Sequence, residues 1–247
     1  MVRLEFGDYR LRASAWMTLL AVAGVALFAG LGRWQLQRAA EQRVLVAAFA
    51  AGTNAGADLL GARSTAALAR YARVRARGQY DPAHQFLLDN MSHDGRTGYQ
   101  VLTPMRLDDH RVLLVNRGWV PLPGGRRDAL PDIALPDAGP IEVSGRLDEL
   151  PVPGLRAGVA VPSPDARWPK RTSFPDAAQL GAALGENIEA RQLLLAAAEP
   201  YGYVRDWHSA HAGFSPERHI AYTVQWWGLA TLSLVLYLYM NIERRSP

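Results

Sequence analysis

Two long uncharged apolar segments, residues 13–31 and 220–240, stand at opposite ends of this chain. Each is close to the ~20 residues that a helix needs to cross ~30 Å of hydrocarbon. A chain built this way is expected to be held in a membrane at both ends, with a folded domain slung between. The stretch between the segments is long enough for one hydrophobic core and short for two. The expected divisions are a tail (1–12), a first transmembrane helix (13–31), an extracytoplasmic domain (32–219), a second transmembrane helix (220–240) and a second tail (241–247).

The first segment is longer than the apolar part of a signal peptide. Its one A-x-A set well into the segment, Ala21-Val22-Ala23, lies inside the apolar run (Ala13-Ser14-Ala15 only opens it), so an uncleaved anchor is expected. Two spans put both tails on one side. Arginines flank the first span equally. Arg244 and Arg245 beyond the second tip the tails towards the cytoplasm. The expectation is an integral protein of a bacterial inner membrane, its termini cytoplasmic and its central domain periplasmic.

The net charge is +4, but the basic residues are spread along the chain and no nucleic-acid motif is present, so no nucleic-acid partner is expected. There is no cysteine, which excludes disulfides, thiolate nucleophiles and thiolate metal sites. No phosphate loop, nucleophile elbow or zincin motif occurs, and no enzymatic activity is expected. A copper chaperone is disfavoured, with five Met and no CxxC.

The first helix is expected to run on past the bilayer to the Gly52–Gly56 region. Alternation then predicts a strand over residues 71–80 and further strands near 85–90, 99–107, 111–120, 141–147 and 191–197. Turn chemistry such as His93-Asp94-Gly95 and Asp108-Asp109-His110 separates them. Ser173 could cap a short helix ending near Leu184. Residues 53–69 read as Ala-rich filler and 151–167 as a loop. The fold class expected is a membrane protein whose two α-helices flank a mainly antiparallel β domain (α+β, barrel-like).

Two sites invite chemistry. In Val112–Pro121, the run Asn116-Arg117-Gly118-Trp119 is either a core strand with a glycine bend or a place where Arg117 and Trp119 meet an anionic planar ligand. His219 stands at the mouth of the second span. It is either an interfacial histidine with its edge in water or a ligand for haem iron. On a helix it shares a face roughly with Tyr222, Trp226 and Ser233. Gln225, deeper, is expected to bond to the first helix near Ala26 and Gly30. Trp34 fits an interfacial anchor. His208 and His211 form an HxxH without an obvious third ligand, which favours chance over metal.

The chain resembles the Surfeit locus protein 1 family in five blocks that occur in the family's order. They are Gly32-Arg-Trp-Gln-Leu-Gln-Arg38, Val74-Arg-Ala-Arg-Gly78, Gly98-Tyr99 with Val101-Leu-Thr-Pro104, Val115-Asn-Arg-Gly-Trp-Val-Pro121, and Arg218-His-Ile-Ala-Tyr-Thr-Val-Gln-Trp-Trp227. The resemblance implies an assembly factor for haem-copper (cytochrome c) oxidase, associated with haem a and its insertion into the large oxidase subunit. A haem a synthesis enzyme and the lipid bilayer are the other partners implied. His219 matches the family's proposed haem ligand at the membrane entrance. Tyr222 and Trp226 would flank the haem, and Arg33, Arg38 and Arg117 are expected to pair with its propionates. Trp34, Gln35, Asn116, Trp119 and Gln225 are the expected partner-docking residues. The rival reading is a haem-free scaffold that steadies the nascent oxidase subunit.

Overall fold

The computed structural model describes residues 2–6, 9–54, 56–126, 129–136, 139–151, 167–207 and 215–244. In chain order these form strands β1 (Val2–Phe6) and β2 (Tyr9–Ala13), helix α1 (Ala15–Asn54), and strands β3 (Asp58–Leu59), β4 (Arg73–Tyr80), β5 (Phe86–His93), β6 (Arg96–Leu107), β7 (Val112–Pro121), β8 (Ile141–Asp148) and β9 (Lys170–Thr172). Helix α2 (Ala177–Leu184), strand β10 (Gln192–Leu195), helix α3 (Pro216–Asn241) and strand β11 (Ile242–Arg244) follow. Contacts divide the chain into two compact units, residues 1–46 with 213–247, and residues 47–212.

In the first unit, α1 and α3 pair antiparallel. The covered positions of α1 form a stripe, Thr18, Ala21, Val25, Phe28, Gly32, Gln35 and Ala39, flanked by Gly24 and Leu31. On α3 the stripe is Pro216, His219, Thr223, Trp226, Ala230, Ser233 and Tyr237, flanked by Ile220 and Leu229. Both stripes alternate spacings of three and four, the seam of a two-helix coiled coil. Three contacts set the register. The Thr18 and Tyr237 hydroxyls lie 2.8 Å apart. Phe28 stacks on Trp226 at 5.8 Å between ring centroids. Gln35 Oε1 meets His219 Nδ1 at 2.6 Å. In that register the two uncharged segments lie side by side. Ser14 accepts from the Met17 amide at the start of α1, and Ser215 from the Arg218 amide at the start of α3.

The seam carries mostly small and polar side chains, while the large apolar ones point away from it. Leu19, Leu20, Val22 and Leu27 on α1 are exposed, as are Val224, Leu232, Leu234, Val235 and Leu236 on α3. In water this arrangement would be inside out. α1 alone is long and apolar enough to pass as a membrane span by length and composition among the described residues. The tails beyond the helices are not bare. β1 and β2 form a hairpin, and β11 adds antiparallel to β2 with Ile242 opposite Leu11. These terminal strands were not expected from the sequence.

The second unit is mainly β. Its sheet runs β3-β4-β8-β10-β7-β6-β5-β9, and a further β4–β6 pairing joins β4, β8, β10, β7 and β6 into a ring of five strands. The β10–β7, β5–β9 and β3–β4 pairs are parallel; the rest are antiparallel. Alternation builds the core. Each ring strand turns every second residue inward, giving Val74 and Ala76, Met105 and Leu107, Leu113 and Val115, Val143 and Leu147, and Leu193 and Leu195. A second cluster, Phe86, Leu88, Leu102 and Leu114, packs against Leu180 of α2. The cap of α2 is Asp176, in a capping box with Gln179, and not Ser173. The filler expected over 53–69 instead holds β3 and a 3₁₀ turn, Thr65–Ala67, tied by the Glu189 carboxylate to the Thr65 amide and hydroxyl. The last turns of α1 belong to this unit: Phe49 meets Tyr71 edge-on at 5.2 Å, and the Arg146 guanidinium lies 3.8 Å from the Phe49 ring centroid. Residues 152–166, inside the expected loop, lie outside the described residues.

β7 carries a bulge. Gln100 pairs with Trp119 while Leu102 pairs with Asn116, so Arg117 and Gly118 together oppose Val101. Gly118 has φ 112°, and a Cβ there would sit 2.5 Å from the Val204 carbonyl oxygen. Asn116 Oδ1 accepts from the Gly118 amide and closes the bulge locally. Gly118→Ala is expected to cost about 3 kcal/mol in denaturant unfolding. Gly125→Ala, also at positive φ but with nothing near its Cβ, should cost about 1 kcal/mol.

Candidate functional site

The residues singled out in the sequence fall into the two units. His219, Tyr222, Gln225, Trp226, Arg33, Trp34, Gln35 and Arg38 belong to the helix pair; Asn116, Arg117 and Trp119 belong to the β unit.

On the helix pair, His219 is the first side chain of the α3 stripe after Pro216 and is 8% exposed. It is held on three sides. Its amide bonds to the Ser215 carbonyl. Its own carbonyl accepts from the Thr223 hydroxyl. Its Nδ1 meets the Gln35 side chain. Gln35 is itself buried. The helices approach closely beside it, where the Trp227 indole lies over Gly32. Two turns below His219, Trp226 and Phe28 form an aromatic floor. Arg33 is exposed on the outer side. Arg38 is also exposed; it pairs with Glu41 at 2.9 Å and lies 5.9 Å from the Trp34 ring centroid. An ion pair this exposed contributes ~1 kcal/mol or less and is cheaply exchanged for another anion. The arrangement offers an oriented imidazole, aromatic and apolar walls, and arginines where the uncharged stretch ends. It suits an amphipathic, acidic, metal-bearing molecule such as a haem.

Three expectations on the helices are corrected. Gln225 is exposed and off the stripe, so the polar links between the helices are Gln35 to His219 and Thr18 to Tyr237. The close approach is at Gly32; Gly30 has nothing near its Cβ, and Ala26 is exposed. Tyr222 is also off the stripe and exposed, on the outer side of α3.

In the β unit, three expected site residues prove to be interior. Asn116 is fully buried, donating from Nδ2 to Gln100 Oε1 and Gln192 Oε1, both at 2.9 Å. Trp119 is 7% exposed and donates its indole N–H to the Met91 carbonyl at 3.0 Å. Neither offers a docking surface. Arg117 is 2% exposed. It continues the inward parity of Leu113 and Val115, beside the inward hydroxyl of Thr103. Its Nε donates to the Tyr201 carbonyl at 2.8 Å and its Nη1 to Gln85 Oε1 at 2.9 Å. Weaker contacts reach the Ile133 carbonyl and the Tyr203 hydroxyl, both at 3.3 Å, and the guanidinium stacks over the Tyr203 ring. Among the described residues no carboxylate lies within ion-pair distance of it. Burial lowers its pKa from the usual arginine value, and burial raises that of the nearby Tyr80 hydroxyl. Its donors are turned to neutral acceptors of the domain, which removes Arg117 from the expected propionate partners.

His84 is engaged within the β unit. It contacts the Asp81 carboxylate at 2.8 Å and stacks edge-on against Trp168. No group of three metal-ligating side chains occurs among the described residues. His208 and His211 lie outside them. The contribution of Gln35 to the His219 site was not seen in the sequence. Its signal was the three-four spacing of small and polar residues through both apolar segments.

A family model described as the SURF1 family matches residues 22–231, a range that takes in the ring of strands and most of both helices. The chain belongs to the SURF1 family, whose members are assembly factors for cytochrome oxidase and not, in general, enzymes. No curated protein matches this sequence.

Proposed function

We propose that this protein binds haem a at the His219 end of its helix pair and delivers it to the large subunit of haem-copper oxidase. The observation that carries the reading is the buried His219, held through Nδ1 by Gln35, at the level where the uncharged stretches end. A haem ligated there would sit with its tail towards lipid and its propionates near Arg33 and Arg38. Bound haem a supplies the iron that coordinates the imidazole; this chain's residues do the rest. His219 presents a nitrogen, Trp226 and Phe28 form an apolar wall, and the exposed arginines neutralise carboxylates. A carrier must also release, and a site on the rim of two helices, unlike an enclosed haem pocket, leaves a path for release.

The membrane reading extends to both helices. It is supported by the inside-out distribution of side chains, with large apolar groups outward and small or polar ones in the seam. Aromatic residues gather at both ends of the paired uncharged stretches: Trp16, Tyr237 and Tyr239 at one, Trp34, Tyr222, Trp226 and Trp227 at the other. The pairing of β11 with β2 is consistent with both chain ends lying on one side of an inner membrane, with the β unit on the periplasmic side. The haem a synthesis enzyme is the natural donor in this scheme.

The test is a reduced-minus-oxidised visible spectrum of protein co-expressed with the haem a synthesis enzymes and purified in mild detergent. The parent should carry a haem a signal, and His219→Ala should lose most of it at unchanged yield and fold. A haem-free parent would overturn the carrier and leave the scaffold. Haem retained in full by His219→Ala would move the ligand elsewhere.

A further inference from the structure

We infer that Gln35 is the positioning residue for His219: its side-chain carbonyl accepts the Nδ1 proton and so fixes the imidazole in the tautomer whose lone pair is on Nε2. The two groups meet at 2.6 Å, both are buried, and they come from different helices. A neutral imidazole carries one proton on its two nitrogens, and the group facing one nitrogen decides where the other's lone pair lies. An amide oxygen can only accept, so an oxygen facing Nδ1 requires Nδ1–H. The same contact fixes the ring plane. Histidines that hold metals commonly donate the second ring N–H to an oxygen in this way, and the outer group sharpens both orientation and basicity.

Gln35 has the place for this role. It lies on the covered stripe of α1, where the neighbouring stripe residues Phe28, Gly32 and Ala39 are apolar or small. An amide there is costly to bury unless it is satisfied across the seam. Gln37 and Gln42 on the same helix are respectively exposed and half-buried, outside the covered stripe. The bond also makes the site depend on helix pairing, because imidazole and carbonyl face each other only when α1 and α3 are in register.

The value of this tautomer for iron rests on the haem-carrier reading; the tautomer itself does not, and the experiment separates the two. Full-length protein without haem, labelled with nitrogen-15 in its histidine rings, is measured in detergent by NMR. His219→Asn identifies the His219 signals. The parent should show a protonated Nδ1 and an unprotonated Nε2. Gln35→Leu should release the preference so that an Nε2–H population appears, and Gln35→Glu, which keeps an acceptor, should retain Nδ1–H. A parent with Nε2–H, or a Gln35→Leu pattern identical to the parent's, overturns the inference. In protein co-expressed with the haem a synthesis enzymes, Gln35→Leu should hold haem about 10–100-fold more weakly, with Gln35→Glu restoring most of the loss. A haem-free parent with the expected tautomer supports the positioning contact and overturns the carrier. A haem-bearing parent whose retention is untouched by Gln35→Leu overturns the positioning role.

Discussion

Arg117→Ala should destabilise the β unit by about 3–5 kcal/mol while leaving the haem bound per folded molecule unchanged. The reasoning begins with the acceptors. Removing the guanidinium takes the donor from the Tyr201 carbonyl, while Gln85 Oε1 keeps the Thr103 hydroxyl and the Ile133 carbonyl keeps Gln85 Nε2 as donors. A carbonyl stranded in this way costs ~1–3 kcal/mol, and the two acceptors that keep one donor lose less. A void opens against Tyr203, adding a packing loss. Relief from burying a charge without a carboxylate offsets part of this, which holds the estimate below the simple sum. For a domain of this size the midpoint of thermal unfolding should fall by roughly 6–15 °C. Arg117→Lys should recover little, because one ammonium cannot reach acceptors arranged around a planar fork. The opposite result, haem lost at unchanged stability, would return Arg117 to the propionate partners expected from the sequence.

Of the two readings of Asn116-Arg117-Gly118-Trp119, the structure has the core strand with a glycine bend and not the anion site. An arginine and a tryptophan around a glycine read as an anion site because both residue types recur in such sites. The parity of the strand pointed the other way. Leu113 and Val115 face the ring interior, and 117 is the next position on that side. Alternation likewise located the ring strands, since each has one face to bury. It missed β3 and β9, two and three residues long, because period two needs several repeats to register. It missed the terminal strands because their pairing depends on two helices bringing distant tails together. Ring closure through β4 and β6 was anticipated only as curvature; a long-range register such as Gly78 opposite Leu107 has no local signature.

The helices pose the converse difficulty. Their existence was plain from apolar length, but not the face on which they meet. In a segment where nearly every residue is apolar, hydrophobicity carries no direction, so size and polarity must supply it. Judged by aromatic content, Tyr222 belongs with His219 and Trp226. Judged by size and spacing, the neighbours are Thr223, Ala230 and Ser233, as the structure has them. The distinction bears on function, because a side chain in the seam orients His219 and one outside it meets lipid or a partner.

Gly32→Leu should therefore be among the most damaging single substitutions in the helix pair, and Gly30→Leu, two residues away, should be close to silent. A Cβ on Gly32 would overlap the Trp227 indole, whereas a Cβ on Gly30 would meet nothing within 4 Å. Both changes add the same side chain to the same helix, so differences in propensity or hydropathy cancel between them. With little hydrophobic drive between helices in lipid, close packing and polar bonds across the seam carry the association. Forcing the backbones apart weakens the Phe28–Trp226 stack one turn away and stretches the Gln35–His219 bond on the other side. In mild detergent, Gly32→Leu should lose near-ultraviolet circular dichroism from the tryptophans and lower the thermal midpoint of that signal, at unchanged helix content. Haem retention should fall at least tenfold, as in Gln35→Leu, because the imidazole loses its partner. Gly30→Leu should match the parent in both measurements. If the two variants behave alike, the seam does not pass through Gly32, and the pairing that orients His219 has to be sought on another face of α1.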